Sequence, residues 1–264
     1  MKNRFWLISL VLAAAVVFAG CAKKNEKLIK IGATPVPHAV MLNLVKDDLA
    51  KQGYNLQIIE FSDYVQPNIA VENGELDANF FQHIPYLDSF NQARGFHLKN
   101  AGGIHIEPMG AYSRTLKNIN DLPEGAAIAV PNDPSNEGRA LLLLQSAGII
   151  TLNASSGLTA TLLDIVLNPK KLNFSELEAA QLPRSIGDVD LAIINGNYAI
   201  DAGLTKDDAL IVEGASSPYV NIIAVKEGNE NSEKITALVK ALKSKKIKDF
   251  ISREYLKGEV VPAF

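Results

Sequence analysis

Short apolar runs alternate with longer amphipathic ones along most of the chain. Residues 28–33 (LIKIGA) alternate as a strand does, and Met41, Leu44, Val45 and Leu49 then recur at helical offsets before Gly53 closes the pattern. The same rhythm predicts a strand over 55–61, a helix over 65–73 ended by Gly74, a strand over 76–81, and a helix over 83–94 stopped by Gly95. Strands alternating with helices imply βαβ units and parallel pairing. An extended passage punctuated by Gly and Pro follows at 98–114, and the alternation then starts afresh. It predicts a strand over 126–130, a helix over 138–147 opened by Asp133 and Pro134, and a strand over 173–177. Beyond these come a helix from about 178 to 186, strands over 189–194 and 219–225, and a last helix carrying Ile235, Leu238, Val239 and Leu242. Two α/β halves with a cleft between them are the architecture that this order describes.

The N-terminus does not belong to that pattern. Lys2 and Arg4 precede an apolar run over 5–19 broken only by Ser9, and the run ends in small residues, as a secretory signal peptide does. It is shorter than the roughly 20 apolar residues of a membrane-spanning helix. The stretch FAGC at 18–21 resembles a bacterial lipobox, with Phe18 where Leu is usual, and makes Cys21, the only cysteine, the expected lipidation site. Residues 1–20 are then the signal and 21–28 a polar tether.

The chain has 264 residues, 47 % hydrophobic and 21 % charged, with 26 basic and 29 acidic side chains and a net charge of −3. This is ordinary globular usage with no basic cluster outside the ends, which argues against a nucleic-acid partner. Loss of the signal removes two basic residues and takes the balance to −5. An exported chain of this kind works where ATP is absent, which favours binding over intracellular metabolism. No GxxxxGK[ST], HExxH, GxSxG or GxGxxG motif occurs, and none of the four histidines stands four residues from a carboxylate. No cofactor, metal site or catalytic constellation is therefore expected, and an exported hydrolase is disfavoured because no nucleophile and base pair stands out.

Four places concentrate side chains fit for recognition. Phe81, His83 and Tyr86 sit at a strand-to-helix corner, and Tyr64 stands at a similar corner after the preceding strand. Such aromatic faces suit an apolar ligand chain, a thioether above all. Phe80 and Phe81 point to opposite faces of their strand, which leaves Phe80 to the core. Ser135, Asn136 and Arg139 lie in the first turns after Asp133-Pro134, where free N–H groups and a guanidinium favour a carboxylate. Asn195 follows a strand, and Asn221 interrupts an apolar one, so each amide either makes a turn or bulge or faces the cleft and offers its oxygen to an ammonium.

With the lipobox, the segments IKIGATPVPH, FFQHIPYL, VPNDPSNEGRALLLLQ and INGNYAIDAG and the ending VVPAF make the whole chain similar to the NlpA/MetQ-type lipoproteins, the methionine-binding components of ABC importers. The resemblance implies a periplasmic-binding-protein fold, two α/β lobes with mixed sheets joined by two crossing segments around a ligand cleft. Lobe I is expected over 29–112 and 223–264, and lobe II over 113–222. By resemblance, Tyr64, Phe81 and His83 line a pocket for the methionine side chain, Arg139 binds the carboxylate, and Asn195 and Asn221 hold the amino group, with Tyr86, Ser135 and Asn136 behind them. The implied partners are methionine, an ABC permease with its ATPase subunit, and the bacterial membrane that holds the lipid anchor, with the protein facing the periplasm or the cell exterior. The protein is expected to be a monomer without catalysis. A methionine-containing dipeptide as ligand, or an adhesion lipoprotein with a vestigial cleft, are the alternative readings.

Overall fold

The computed structural model describes residues 27–214 and 217–264. The expected signal peptide, Cys21 and the tether up to Glu26 lie outside the described residues. In chain order the first strands are β1 (Leu28–Ala33), β2 (Asn55–Glu60), β3 (Ala78–His83), β4 (Leu98–Ile106), β5 (Gly110–Tyr112) and β6 (Ala127–Pro131). They are followed by β7 (Thr151–Leu152), β8 (Ile165–Leu167), β9 (Asn173–Leu177), β10 (Leu191–Ile194), β11 (Ala209–Val212), β12 (Val220–Lys226) and β13 (Val261–Pro262). The helices are α1 (Val40–Lys51), α2 (Gln66–Glu72), α3 (Ile84–Arg94), α4 (Pro134–Ser146), α5 (Leu182–Ser185), α6 (Gly196–Asp201), α7 (Glu233–Leu242) and α8 (Lys245–Glu254).

Two mixed sheets carry the two lobes. The first has the order β13-β4-β12-β3-β1-β2, with β1 parallel to β2 and β3, and β12 antiparallel to β3 and β4. The second has the order β11-β5-β10-β6-β9, with β6 parallel to β9 and β10, and β5 antiparallel to β10 and β11. The chain crosses between them twice, after β4 and after β11. Both crossings differ from the lobe boundaries that the resemblance implies. Residues 110–112, placed there with the first lobe, pair in the second sheet, and Val220 and Asn221 already pair in the first. Pro108 marks the first switch, because it cannot donate into a continuing ladder.

Period-two alternation divides the strands between core layers. Ile223 and Val225 of β12 pack with Ile29, Ile31 and Phe80 under α1, α7 and α8, while Ile222 and Ala224 face Val71, Leu76 and Leu87 on the other side. The same alternation sends Phe80 into that core and Phe81 into a small aromatic cluster with Tyr86 and Phe90. In the second lobe, Ile128, Val130, Leu191 and Ile193 meet Leu141 and Leu144 of α4, and Ala129, Ala192 and Ile194 meet Leu182 and Tyr198.

Two predicted helices change. Over 178–186 the chain makes a tight turn at Ala179–Gln181 and then the single turn of α5, whose second residue, Pro183, has no N–H to bond back into a preceding turn. The helix with Ile235 is followed by α8, whose Ile247, Phe250 and Ile251 bury at offsets 0, 3 and 4. α6, directly after Asn195, is a further helix that the polar INGNY run conceals.

Candidate functional site

A narrow cavity lies between the lobes, beyond the carboxyl ends of β3, β4, β6 and β10. That is where α/β sheets present ligand-binding groups. Tyr64, Phe81, His83, Arg139, Asn195 and Asn221 all line it, with Tyr86 and Asn136. Ser135 does not: its buried hydroxyl donates to Asp133 Oδ1 at 3.1 Å, an internal bond of the helix cap. Gln82, Glu107, Gly196 and Asn197 complete the wall. Of these, Glu107 had a legible signal, since a carboxylate two residues from His105 in an alternating strand must face a partner when buried.

The aromatic end is built from one lobe and closed by the other. Tyr64 stacks on Phe81 at 5.5 Å between ring centres and on Tyr198 of α6 at 5.0 Å. Its hydroxyl donates to Asn197 Oδ1 at 2.6 Å, and the Tyr198 hydroxyl donates to the Ser62 carbonyl at 3.0 Å. Burial pushes the Tyr64, Tyr86 and Tyr198 phenols up, so all three stay protonated donors.

The polar end is a chain of oriented amides. Asp133 caps α4 and accepts both from the Asn136 backbone N–H at 3.0 Å and from Asn136 Nδ2. Asn136 Oδ1 then faces His83 Nε2 at 3.1 Å and accepts from Asn195 Nδ2 at 2.8 Å. His83 Nδ1 accepts from the Tyr86 N–H at the start of α3, so the proton is on Nε2 and donates to Asn136. Asn195 Oδ1 is left buried without a partner among the described residues, at the wall of the cavity. Burial, then the charge of Arg139, lowers His83 to about 3 and keeps it neutral.

Arg139 is buried on α4, and a carboxylate already grips one side of its fork. Nε donates to Glu213 Oε1 at 2.7 Å, and Nη2 donates to Glu213 Oε2 at 2.5 Å and to the Glu107 carbonyl at 2.8 Å. Glu213 Oε2 also accepts from the Met109 N–H at 3.0 Å, so both crossing segments hold the guanidinium, which lies 4.2 Å over the Tyr219 ring. Among the described residues only Nη1 lacks a partner. Only the Nη1 end of the fork is thus left for a further acceptor, the bidentate face being taken by Glu213.

Beside Asn221 lies a buried cluster. His105 Nε2 stands 2.6 Å and His38 Nε2 3.3 Å from Glu107 Oε1, His38 Nδ1 is 2.7 Å from the Thr34 hydroxyl, and His38 Nε2 is 3.2 Å from Asn221 Oδ1. The three titratable side chains offer donor atoms within 4.8 Å of one another. A tetrahedral zinc ion with bonds of about 2.0–2.1 Å would space its ligand atoms about 3.3 Å apart, so the 2.6 Å contact fits a shared proton and not a metal edge. Burial lowers His38 to about 4 and His105 to about 3 and raises the Glu107 carboxyl. The oxygen that the sequence reading assigns to an ammonium is, in Asn221, already turned to His38.

Residues 29–264 match the family model described as NlpA lipoprotein. A methionine-binding lipoprotein MetQ of Bacillus subtilis is 44 % identical over 99 % of both chains. A D-methionine-binding lipoprotein MetQ of Escherichia coli is 40 % identical over 96 % of this chain and 94 % of its own. Among solved structures, a nutrient binding protein from Burkholderia cenocepacia bound to methionine superposes with a TM-score of 0.86 at 49 % identity, covering 89 % of this chain and all of that one. No helix among the described residues is long and apolar enough to cross a membrane.

Proposed function

The chain belongs to the NlpA lipoprotein family, and from that membership and the geometry of the cleft we propose that it is the substrate-binding lipoprotein of an ABC importer, taking methionine between its lobes. It is a binding protein and not an enzyme. One observation carries the ligand class: the cavity between the lobes has an aromatic end, formed by Tyr64, Phe81 and Tyr86, and a polar end that offers Arg139 Nη1 and Asn195 Oδ1. A free guanidinium end and an unsatisfied amide oxygen are complementary to the carboxylate and ammonium of one amino acid. The aromatic rings suit a thioether, which gains about 0.3–1.5 kcal/mol from each such contact.

The lobes close by direct contacts, Tyr64 to Asn197 and Tyr198 to Ser62, so a closed form distinguishable by a permease follows from ligand capture. Delivery to that permease, powered by a separate ATPase, and attachment to the envelope through acylated Cys21 complete the reading. The Tyr64 and Tyr198 pair, stacked across the two lobes, stands in the way of a dipeptide's second residue and favours a single amino acid. Calorimetric titration of the purified chain with L-methionine, D-methionine and methionyl dipeptides tests this. Saturable binding of a methionine enantiomer is expected, and binding of dipeptides alone, or of none of the three, overturns it.

A further inference from the structure

His38 does not itself line the cavity, but it lies against two residues that do, Asn221 and Glu107, and bears on which end of the Asn221 amide reaches the cavity. Its tautomer follows from its two neighbours. The proton shared in the 2.6 Å contact between His105 and Glu107 resides on Nε2 or on Oε1, and in both cases Oε1 keeps a lone pair for His38. His38 Nε2 therefore carries hydrogen, and its Nδ1 accepts from the Thr34 hydroxyl at 2.7 Å. A donating Nε2 at 3.2 Å requires the oxygen of Asn221 and not its nitrogen. The amide nitrogen then faces away from His38, has no partner among the described residues, and belongs to a residue that lines the cavity.

We propose that His38 is a positioning residue that holds Asn221 with its NH₂ toward the ligand, so that Asn221 donates to the ligand carboxylate beside Arg139 Nη1 instead of accepting from the ammonium. This rests on the amino-acid reading of the cleft. The two asparagines then divide the zwitterion between them. Asn195, whose Nδ2 is taken by Asn136, shows its oxygen to the ammonium, and Asn221, whose Oδ1 is taken by His38, shows its nitrogen to the carboxylate. The arrangement selects ligands with a free carboxylate, since a neutral amide there offers a weaker acceptor.

The test compares L-methionine with L-methionine amide by calorimetric titration of the full chain and its variants. Asn221→Asp sets a carboxylate against the ligand carboxylate and is expected to weaken methionine binding at least about 100-fold; unchanged or tighter binding overturns the proposal. His38→Gln, which keeps a donor near the Nε2 position, is expected to stay within about threefold of the parent. His38→Leu is expected to lose about tenfold for methionine and little for the amide; an unchanged ratio of the two ligands shows that His38 acts only on folding and overturns the positioning role. Nitrogen NMR of the imidazoles needs neither variant nor ligand, and a His38 protonated on Nδ1 at neutral pH is equally fatal. A parent chain that binds neither methionine nor its amide instead refutes the reading of the cleft.

Discussion

Tyr64 and Asn197 come from different lobes and meet at 2.6 Å, the phenol donating to the amide oxygen at the wall of the cavity. With the Tyr64 and Tyr198 rings stacked at 5.0 Å, this contact acts as a latch on the closed form. Tyr64→Phe keeps the stacking and removes one hydrogen bond worth about 1 kcal/mol. Methionine affinity should fall about fivefold, mostly through faster release. Stopped-flow dissociation measurements check this, and an unchanged release rate would show that the latch forms independently of ligand retention.

Arg139 and Glu213 should depend on each other for stability before any ligand binds. Either Arg139→Ala or Glu213→Ala leaves a charge poorly paired in a largely buried place, at a cost of about 3 kcal/mol. The double variant Arg139→Met with Glu213→Leu should regain part of that loss in urea unfolding, while its methionine binding stays lost. A double variant less stable than either single one would contradict the pairing.

Gly138 sits on the face of α4 against which residues 158–160 run. A methyl group there would stand 2.8 Å from the Ala160 nitrogen and closer still to the Leu158 carbonyl oxygen, both of them backbone atoms that cannot swing aside. Alanine gains about 1 kcal/mol of helix propensity over glycine, but the overlap costs about 1–3 kcal/mol. Gly138→Ala should lower the melting temperature, and a rise would mean that the 158–160 segment yields easily.

Acid should weaken the fold through its buried imidazoles. His38 is lowered to about 4, and His83 and His105 to about 3, each chiefly by burial. The unfolded chain takes up these protons near pH 6.5 and the folded chain only below about 4, so stability falls as pH drops between those values, by at most about 1.4 kcal/mol per pH unit for each imidazole. Above pH 6.5 they contribute no slope. Burial raises Glu107 and Asp133, which act in the opposite direction, so a difference measurement isolates the histidines. Thermal melts of His83→Gln should fall less steeply than those of the parent between pH 6.5 and 4, and parallel curves would place His83 outside this effect.

Most elements were legible because their causes are local. Gly95 takes a left-handed φ of 66° at the end of α3, and Asp133 caps α4 ahead of Pro134, as spacing alone indicates. The parts that were not legible depend on remote partners. The three-residue shift of the first crossing follows from which strand β5 pairs with, and α6 hides in a run rich in Asn and Gly because its stability comes from packing Tyr198 and Ala199 on β10.

The sequence by itself determined the alternation of strands and helices and picked out side chains of which all but Ser135 line the cleft, while Gln82, Glu107 and Asn197 escaped it. It could not say which atom of each would face a ligand. That depended on contacts such as Glu213 with Arg139, 74 positions apart, and His38 with Asn221, 183 positions apart. An asparagine has a donor and an acceptor at nearly equal reach, and an arginine has five donors. The neighbours that occupy some of these groups decide what the remainder can bind, and only the tertiary structure brings those neighbours together.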